Sequence, residues 1–281
     1  MNGYLSAAIL GVVEGITEFL PISSTGHLIV TADWLGVPDS GGVFEIVIQL
    51  GAVLAVAWFY RQDLLSRLVA LPKSAEARRF WLNLLVAFFP AGLFGLTLGK
   101  LVTENLFSTS VVAVSLIVGG IILYLVELRP QAVAATEPPV DGNPTVGVAL
   151  TTSLETMTLR QALWIGLAQV LALVPGVSRS GSSIVGGLLA GLDRKTATAF
   201  SFYLALPTLG GATLYSFLKN ADAIMSQGNF LALAIGTFTA FVTAIVSIRW
   251  LLSFVSGNDF RGFAVYRILA GFALLAWVAL R

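Results

Sequence analysis

Glu14-Gly15-Ile16-Thr17-Glu18-Phe19-Leu20-Pro21-Ile22-Ser23-Ser24-Thr25-Gly26-His27 places two carboxylates, a run of hydroxyls and the only histidine of the chain between apolar flanks. Ionisable groups at membrane depth are costly, so they mark a functional site by default. A second cluster, Pro175-Gly176-Val177-Ser178-Arg179-Ser180-Gly181-Ser182-Ser183, is embedded the same way and adds a cation. Read together, the two clusters form a centre suited to an anion.

The surroundings identify the solvent of this chain as lipid. Hydrophobic residues make up 57% of the 281 and charged residues 11%, and mean hydropathy is +0.88, whereas soluble domains are about a quarter charged. This composition describes an integral membrane protein. A net charge of +1 with no basic stripe excludes nucleic acid as a partner. The lack of cysteine excludes disulfides, thiolate nucleophiles and cysteine-based metal centres, and a single histidine excludes sites that need two. No Lys or Arg precedes Arg61, so the first segment is expected in the mature fold rather than in a cleaved signal peptide.

Apolar runs near 43–60, 80–99, 109–126, 198–218, 229–252 and 262–280 approach the ~20 residues of a spanning helix. Six spans are therefore expected. Segments 4–20 and 161–174 differ: each runs into a proline and a Ser/Gly-rich cluster before a short second apolar piece, 28–36 or 184–192. Both read as re-entrant helical hairpins whose irregular backbone is sheltered by protein or water.

An internal repeat supports this plan. At an offset of 155 residues Gly11 matches Gly166, Glu14 matches Gln169, Ser23 matches Ser178, Ser24 matches Arg179, Thr25 matches Ser180 and Gly26 matches Gly181. Three spans follow each hairpin, and an odd number of crossings makes the second copy enter from the opposite side. The expected fold is all-α, one membrane domain over 1–281: an inverted-topology repeat with copies at about 1–127 and 161–281 and a linker at about 128–160. That linker holds Thr136-Glu-Pro-Pro-Val-Asp-Gly-Asn-Pro144, a stretch without periodicity. Loops 61–79, 127–160, 193–197 and 249–261 share one side and hold eleven of the 16 basic residues. The positive-inside rule puts them in the cytoplasm, so the first hairpin enters from outside. Arg179 and Arg267 remain at membrane depth.

Glu14 and Glu18, four residues apart, lie on one helix face and suit a divalent cation or a shared proton. Past Pro21 the helix must break, leaving the Ser23, Ser24 and Thr25 hydroxyls and the next N–H groups open to an anion. His27 suits a base, an acid or a nucleophile. Arg179, set among serines at a helix start, has the planar fork that grips phosphate, and its alternative role is a salt bridge to Glu14 or Glu18. A phosphohistidine phosphatase needs two histidines, and no Walker loop is present.

Glu14-xxx-Glu18-xx-Pro21-x-Ser23-Ser24-Thr25-Gly26-His27 and Pro175-Gly-x-Ser178-Arg179-Ser180-Gly181 resemble the two signature motifs of the bacterial undecaprenyl-pyrophosphate phosphatases, the UppP or BacA bacitracin-resistance family. The Phe44-to-Gly51 stretch and the overall length fit as well; Ser183 stands where the family usually has Thr, which keeps a hydroxyl. The resemblance implies hydrolysis of undecaprenyl pyrophosphate, lipid-carrier recycling for peptidoglycan, bacitracin resistance, and a divalent cation, Mg2+ or Ca2+, in the cytoplasmic membrane with the site towards the outer face.

On this reading His27, Glu14, Glu18, Ser24 and Arg179 carry catalysis. Ser23, Thr25, Gly26, Ser178, Arg179, Ser180 and Gly181 bind the pyrophosphate, and Glu14 and Glu18 hold the metal. Whether His27 activates water or attacks, or Ser24 attacks, stays open at this level. The expected partners are a polyprenyl pyrophosphate lipid, membrane lipid and, as an option, a second copy in a homodimer. The competing function is a transporter or flippase of such a lipid, because inverted repeats are a transporter plan.

Overall fold

A computed structural model describes residues 3–37, 43–129, 150–219, 221–222 and 229–280; the linker stretch Thr136–Pro144 lies outside them. The described elements are helices: α1 Gly3–Thr17, α2 Ser24–Trp34, α3 Val43–Phe59, α4 Arg61–Ala70, α5 Ala75–Leu106, α6 Thr109–Glu127, α7 Leu159–Val170, α8 Arg179–Leu189, α9 Arg194–Lys219, α10 Phe230–Phe254 and α11 Arg261–Ala279. A 3₁₀ turn, Leu171–Leu173, extends α7. Helix starts follow local chemistry: Ser74, Ser108 and Asn229 accept a hydrogen bond from the backbone N–H three residues on, and Thr158 forms a capping box with Gln161.

Four helices are long and apolar enough to cross a membrane, α5, α6, α10 and α11, and α3 with α4 makes a fifth if that pair, bent by 63°, is one span. The protein is a multi-pass membrane protein. The sixth expected span, 198–218, forms inside the 26-residue α9 but falls outside this apolar set. Its Thr196, Thr198, Ser201 and Tyr203 are buried, so the first half of α9 faces protein, whereas Leu214, Tyr215 and Leu218 beyond Pro207 are exposed. Two segments read as loops are helical instead. Leu64, Leu65, Leu68 and Val69 recur at helical spacing in α4, and Asp193 caps α9 through Thr196 N–H at 2.8 Å.

The solvent side of the fold is apolar. Leu85, Phe89 and Leu96 of α5, Phe238 and Val246 of α10, and Leu269 and Phe272 of α11 all point outward, where lipid replaces water. The largest buried cluster joins Phe19, Ile184, Phe202, Ala52 and Ile248 around the ends of the two short-helix pairs.

Helix packing repeats itself. α1 lies along α10 and α7 lies along α5, while α6 pairs with α11 and α3 with α9. At Gly11 a Cβ would sit 2.3 Å from the Gly236 carbonyl oxygen, and at Gly166 one would sit 2.4 Å from that of Ala87. Small residues at these two matched positions let the backbones touch, the usual means of packing helices where lipid supplies no hydrophobic drive.

Candidate active site

Both short-helix pairs break in the same backbone conformation. Ser23 (φ 71°, ψ 104°) and Ser178 (φ 74°, ψ 114°) are the non-glycine residues with positive φ among the described residues. They are related by the 155-residue offset. Side-chain-bearing residues occupy this region at a cost and cluster at functional sites.

From these breaks one polar chain crosses the molecule. The Ser24 hydroxyl donates to Glu18 Oε2 at 2.7 Å, and Arg179 Nη2 donates to Glu18 Oε1 at 3.2 Å. Arg179 Nη1 donates to the Ser201 carbonyl at 2.8 Å and lies 3.3 Å from its hydroxyl. The guanidinium carbon stands 5.8 Å from the centre of the Phe19 ring, which packs edge-on against Phe202 at 5.3 Å. Arg179 and Glu18 thus form a buried ion pair on an aromatic floor, with Arg179 Nε left without a partner.

A polar cavity of about 150 Å³ opens beside this pair, lined in part by Glu18, Ser23, Ser24, Thr25, Gln49 and Arg179. The remaining lining comes from Ala172, Pro175, Gly176, Ser178 and Leu209. Ser23 makes no side-chain cap to α2, so the N–H groups that open α2 and the Ser23 and Thr25 hydroxyls have no partner among the described residues. Such a helix start is a ready anion site. In the second cluster the hydroxyls of Ser178, Ser180 and Ser183 are already engaged. Ser178 Oγ accepts from Gly181 N–H at 3.1 Å and lies 3.1 Å from Ser180 Oγ, which donates to the Leu20 carbonyl at 2.8 Å. Ser183 bonds to Ser201 Oγ at 2.7 Å.

His27 is placed differently from the other expected catalytic groups. Its Nδ1 is 2.7 Å from the Ser23 carbonyl, which only accepts, so Nδ1 carries the proton. Nε2 then accepts from Tyr266 Oη at 2.6 Å, and His27 is not among the cavity-lining residues. Both ring nitrogens are engaged. Gly26 and Gly181 supply backbone rather than chemistry: Gly26 packs on Val112 and Leu116.

Glu14 is 1% exposed, one turn deeper than Glu18, and its Oε1 has no partner. A donor set can be tested on that atom. Both Glu18 oxygens are engaged, and the described residues contain no cluster of three or more His, Asp or Glu. Glu14 and Glu18 therefore fit a hard cation only if water, hydroxyls or substrate phosphates complete its shell, the usual arrangement for Mg2+.

Reasoning from sequence missed Ser201, Gln49 and Tyr266. Ser201 and Gln49 sit in runs read as ordinary spans, and neither hydroxyl nor amide interrupts the apolar pattern enough to signal a site. Tyr266 precedes Arg267, the cation left unassigned at membrane depth, and that neighbour was the available signal.

The family model described as bacitracin resistance protein BacA matches residues 7–273. A protein of Methylobacillus flagellatus named undecaprenyl-diphosphatase is 48% identical over 274 residues, 97% of each chain. A Bordetella avium protein of the same name is 44% identical over 282 residues, covering 98% of this chain and 97% of its own. One from Pseudomonas syringae pv. tomato is 47% identical over 96% of this chain and 92% of its own.

Proposed function

The chain belongs to the bacitracin resistance protein BacA family, and from that membership and the site geometry we infer an undecaprenyl-diphosphatase. It hydrolyses undecaprenyl pyrophosphate to undecaprenyl phosphate and inorganic phosphate. This returns the lipid carrier to envelope synthesis and confers bacitracin resistance.

The observation that carries the mechanism is the Ser24–Glu18–Arg179 chain at the cavity wall. A hydroxyl 2.7 Å from a carboxylate is the arrangement of a nucleophile and its base. The terminal phosphate enters among the α2 N–H groups, the Ser23 and Thr25 hydroxyls and Arg179. Arg179 is drawn from Glu18 towards the phosphate oxygens, which frees Glu18 to take the Ser24 proton. Ser24 Oγ bonds to the terminal phosphorus as the bond to the bridging oxygen breaks, and undecaprenyl phosphate leaves. Glu18 passes the Ser24 proton to the departing bridging oxygen and is again a carboxylate; it then takes a proton from the water that attacks the phosphoserine and returns it to Ser24 Oγ as inorganic phosphate leaves. His27 acts through Ser23, whose carbonyl it holds. Glu14 and Glu18 would hold the divalent cation with the substrate phosphates, where it supplies neutralisation of developing charge.

The same reading gives the membrane plan: six spans and two re-entrant hairpins in an inverted repeat, with the cavity open to the outer face. The matched φ values of Ser23 and Ser178 and the mirrored packing of α1 on α10 and α7 on α5 support it. Single cysteines at Lys73 and Asn105 test it in this cysteine-free chain. Lys73→Cys should react with impermeant thiol reagents only in opened cells and Asn105→Cys in intact ones; the reverse pattern overturns the orientation.

The decisive experiment is phosphate release from undecaprenyl pyrophosphate by purified protein, with and without chelator, followed by trapping of labelled phosphoserine. Release without any phosphoenzyme, and an active Ser24→Ala variant, would move the attack from Ser24 to water. No release at all would favour the transporter reading, for which an anion clamp suffices.

A further inference from the structure

Arg267 lies outside both motifs, and no step above uses it. It is 1% exposed and has no carboxylate within ion-pair distance among the described residues, where the buried ion pairs are Glu18–Arg179 and Glu127–Arg194. Four backbone carbonyls take the place of a counter-ion. Nη1 donates to the Pro21 carbonyl at 3.2 Å. Nη2 donates to those of Val177 at 2.8 Å, Gly176 at 3.3 Å and Ser115 at 3.3 Å.

Those carbonyls have a pattern. Pro21 and Gly176 are equivalent under the 155-residue offset, and each stands two residues before the strained serine of its break. One guanidinium therefore grips the same atom of both copies. The slot is shaped for it: a Cβ at Gly119 would lie 2.1 Å from Nη2, and one at Gly181 would lie 2.8 Å from Nη1. A buried cation without a counter-ion is unfavourable to folding compared with an apolar side chain of the same volume, so its presence here needs a return. That return is visible in what the contacts fix. Because the peptide is planar and trans, a carbonyl held by Arg267 sets the direction of the following N–H, and at Val177 that N–H belongs to Ser178.

We propose that Arg267 is a positioning residue for hydrolysis, tying the two helix breaks in register so that Ser24 and Glu18 from one copy meet Arg179 from the other. Lysine, a single point donor, holds one break at a time and cannot replace the planar fork.

The proposal rests on the hydrolase reading, and the test separates the two. In purified full-length protein, Arg267→Ala should lower kcat by about 10²-fold, the size of effect expected when reacting groups shift by about an ångström. Millimolar guanidinium should restore at least about a tenth of the lost turnover in a saturable way, and equal urea should not, because only the cation refills the slot. Arg267→Lys should fall between wild type and Arg267→Ala. If Arg267→Ala does not fold, Gly119→Ala presses the guanidinium out of place with every site residue retained, and it should show the same loss of kcat at a near-parental thermal midpoint. Turnover of Arg267→Ala within twofold of wild type, or a loss that guanidinium leaves unchanged and that follows the thermal midpoint, overturns the proposal. If wild type releases no phosphate, the hydrolase reading fails on its own. The guanidinium titration is then read on calorimetric binding of farnesyl pyrophosphate, where loss in Arg267→Ala and rescue sustain the register role and unchanged binding removes it.

Discussion

The two helix breaks share a backbone and divide the chemistry. Ser23 and Ser178 hold nearly the same φ and ψ, yet the first break has Glu14, Glu18, Ser24 and His27 where the second has Gln169, Leu173, Arg179 and Ser182. The hydroxyls differ in the same sense. Ser178 caps its helix, whereas Ser23 leaves the start of α2 uncapped. One copy thus presents open donors, a free hydroxyl pair and carboxylates, and the other presents a cation at a helix start that its own serine caps. A duplicated backbone gives two like helix starts, and in the proposed mechanism side-chain divergence makes one the reacting centre and the other the clamp.

The sharpest way to break this comparison is to change the cation that stands in the second copy where the first has Ser24. Arg179→Lys keeps the charge but cannot serve Glu18, the Ser201 carbonyl and a phosphate from one planar group. Loss of about 10²–10³-fold in kcat/KM is expected, comparable to the removal of a transition-state donor. Near-wild-type turnover in the Lys variant would end the clamp role.

A second test makes the copies more alike. Glu14→Gln installs in the first copy the residue that the second has at Gln169, and Glu18→Gln removes the carboxylate shared by Ser24 and Arg179. Each should weaken the response to Mg2+ or Ca2+ by about 10–100-fold, with Glu18→Gln also lowering turnover. Parental metal titrations in both variants would show that the carboxylates do not ligate metal.

His27 tests how far the first break depends on support from outside its own copy, because Tyr266 of α11 holds its second nitrogen. As a positioning group, His27→Ala should lower kcat by about tenfold, short of the 10²–10⁴-fold of a lost general base. Tyr266→Phe should cost less again. A loss above 10²-fold, with the basic limb of the pH profile removed by His27→Ala but not by Tyr266→Phe, would restore His27 to direct proton transfer.

Much of this was legible in the sequence for a definable reason. Ionisable residues in an apolar background stand out one by one, so Glu14, Glu18, His27 and Arg179 declared themselves, and Pro21 and Pro175 located the breaks. Pairings across the molecule did not. The Ser201 carbonyl that takes Arg179 is backbone and carries no sequence signal, and the carbonyl cage of Arg267 is built entirely of such atoms. For α9 the apolar run marked a helix of spanning length, but not the burial of its Thr196, Thr198, Ser201 and Tyr203. In α4, charges at Arg61, Asp63 and Arg67 masked a helical spacing of leucines.

The smallest expected effect lies where the copies are least alike, at α4, which interrupts the first copy after α3 and has no described counterpart after α9. Arg67 of α4 donates to Asp63 and to Glu155, each at 2.7 Å, and Glu155 also accepts from Ser153. The Ser153 hydroxyl and the Arg67 guanidinium hold the Glu155 carboxyl down to about 2, below the ordinary 4.5. A carboxyl depressed on folding stabilises the fold above its unfolded value and loses that contribution as pH falls through the folded one. The bridge therefore acts fully above about pH 5 and fades between 4.5 and 2. Because Glu155 is 38% exposed in its side chain, solvent screens the pair and its worth is about 0–1 kcal/mol. Glu155→Gln should then lower the thermal midpoint in detergent by no more than a few degrees above pH 5, converge on wild type as the buffer is taken towards pH 3, and leave kcat unchanged. A gap that persists undiminished in acid would show that Glu155 stabilises by packing rather than by charge. A change in kcat would tie this cluster to the breaks and so narrow the division of labour between the copies.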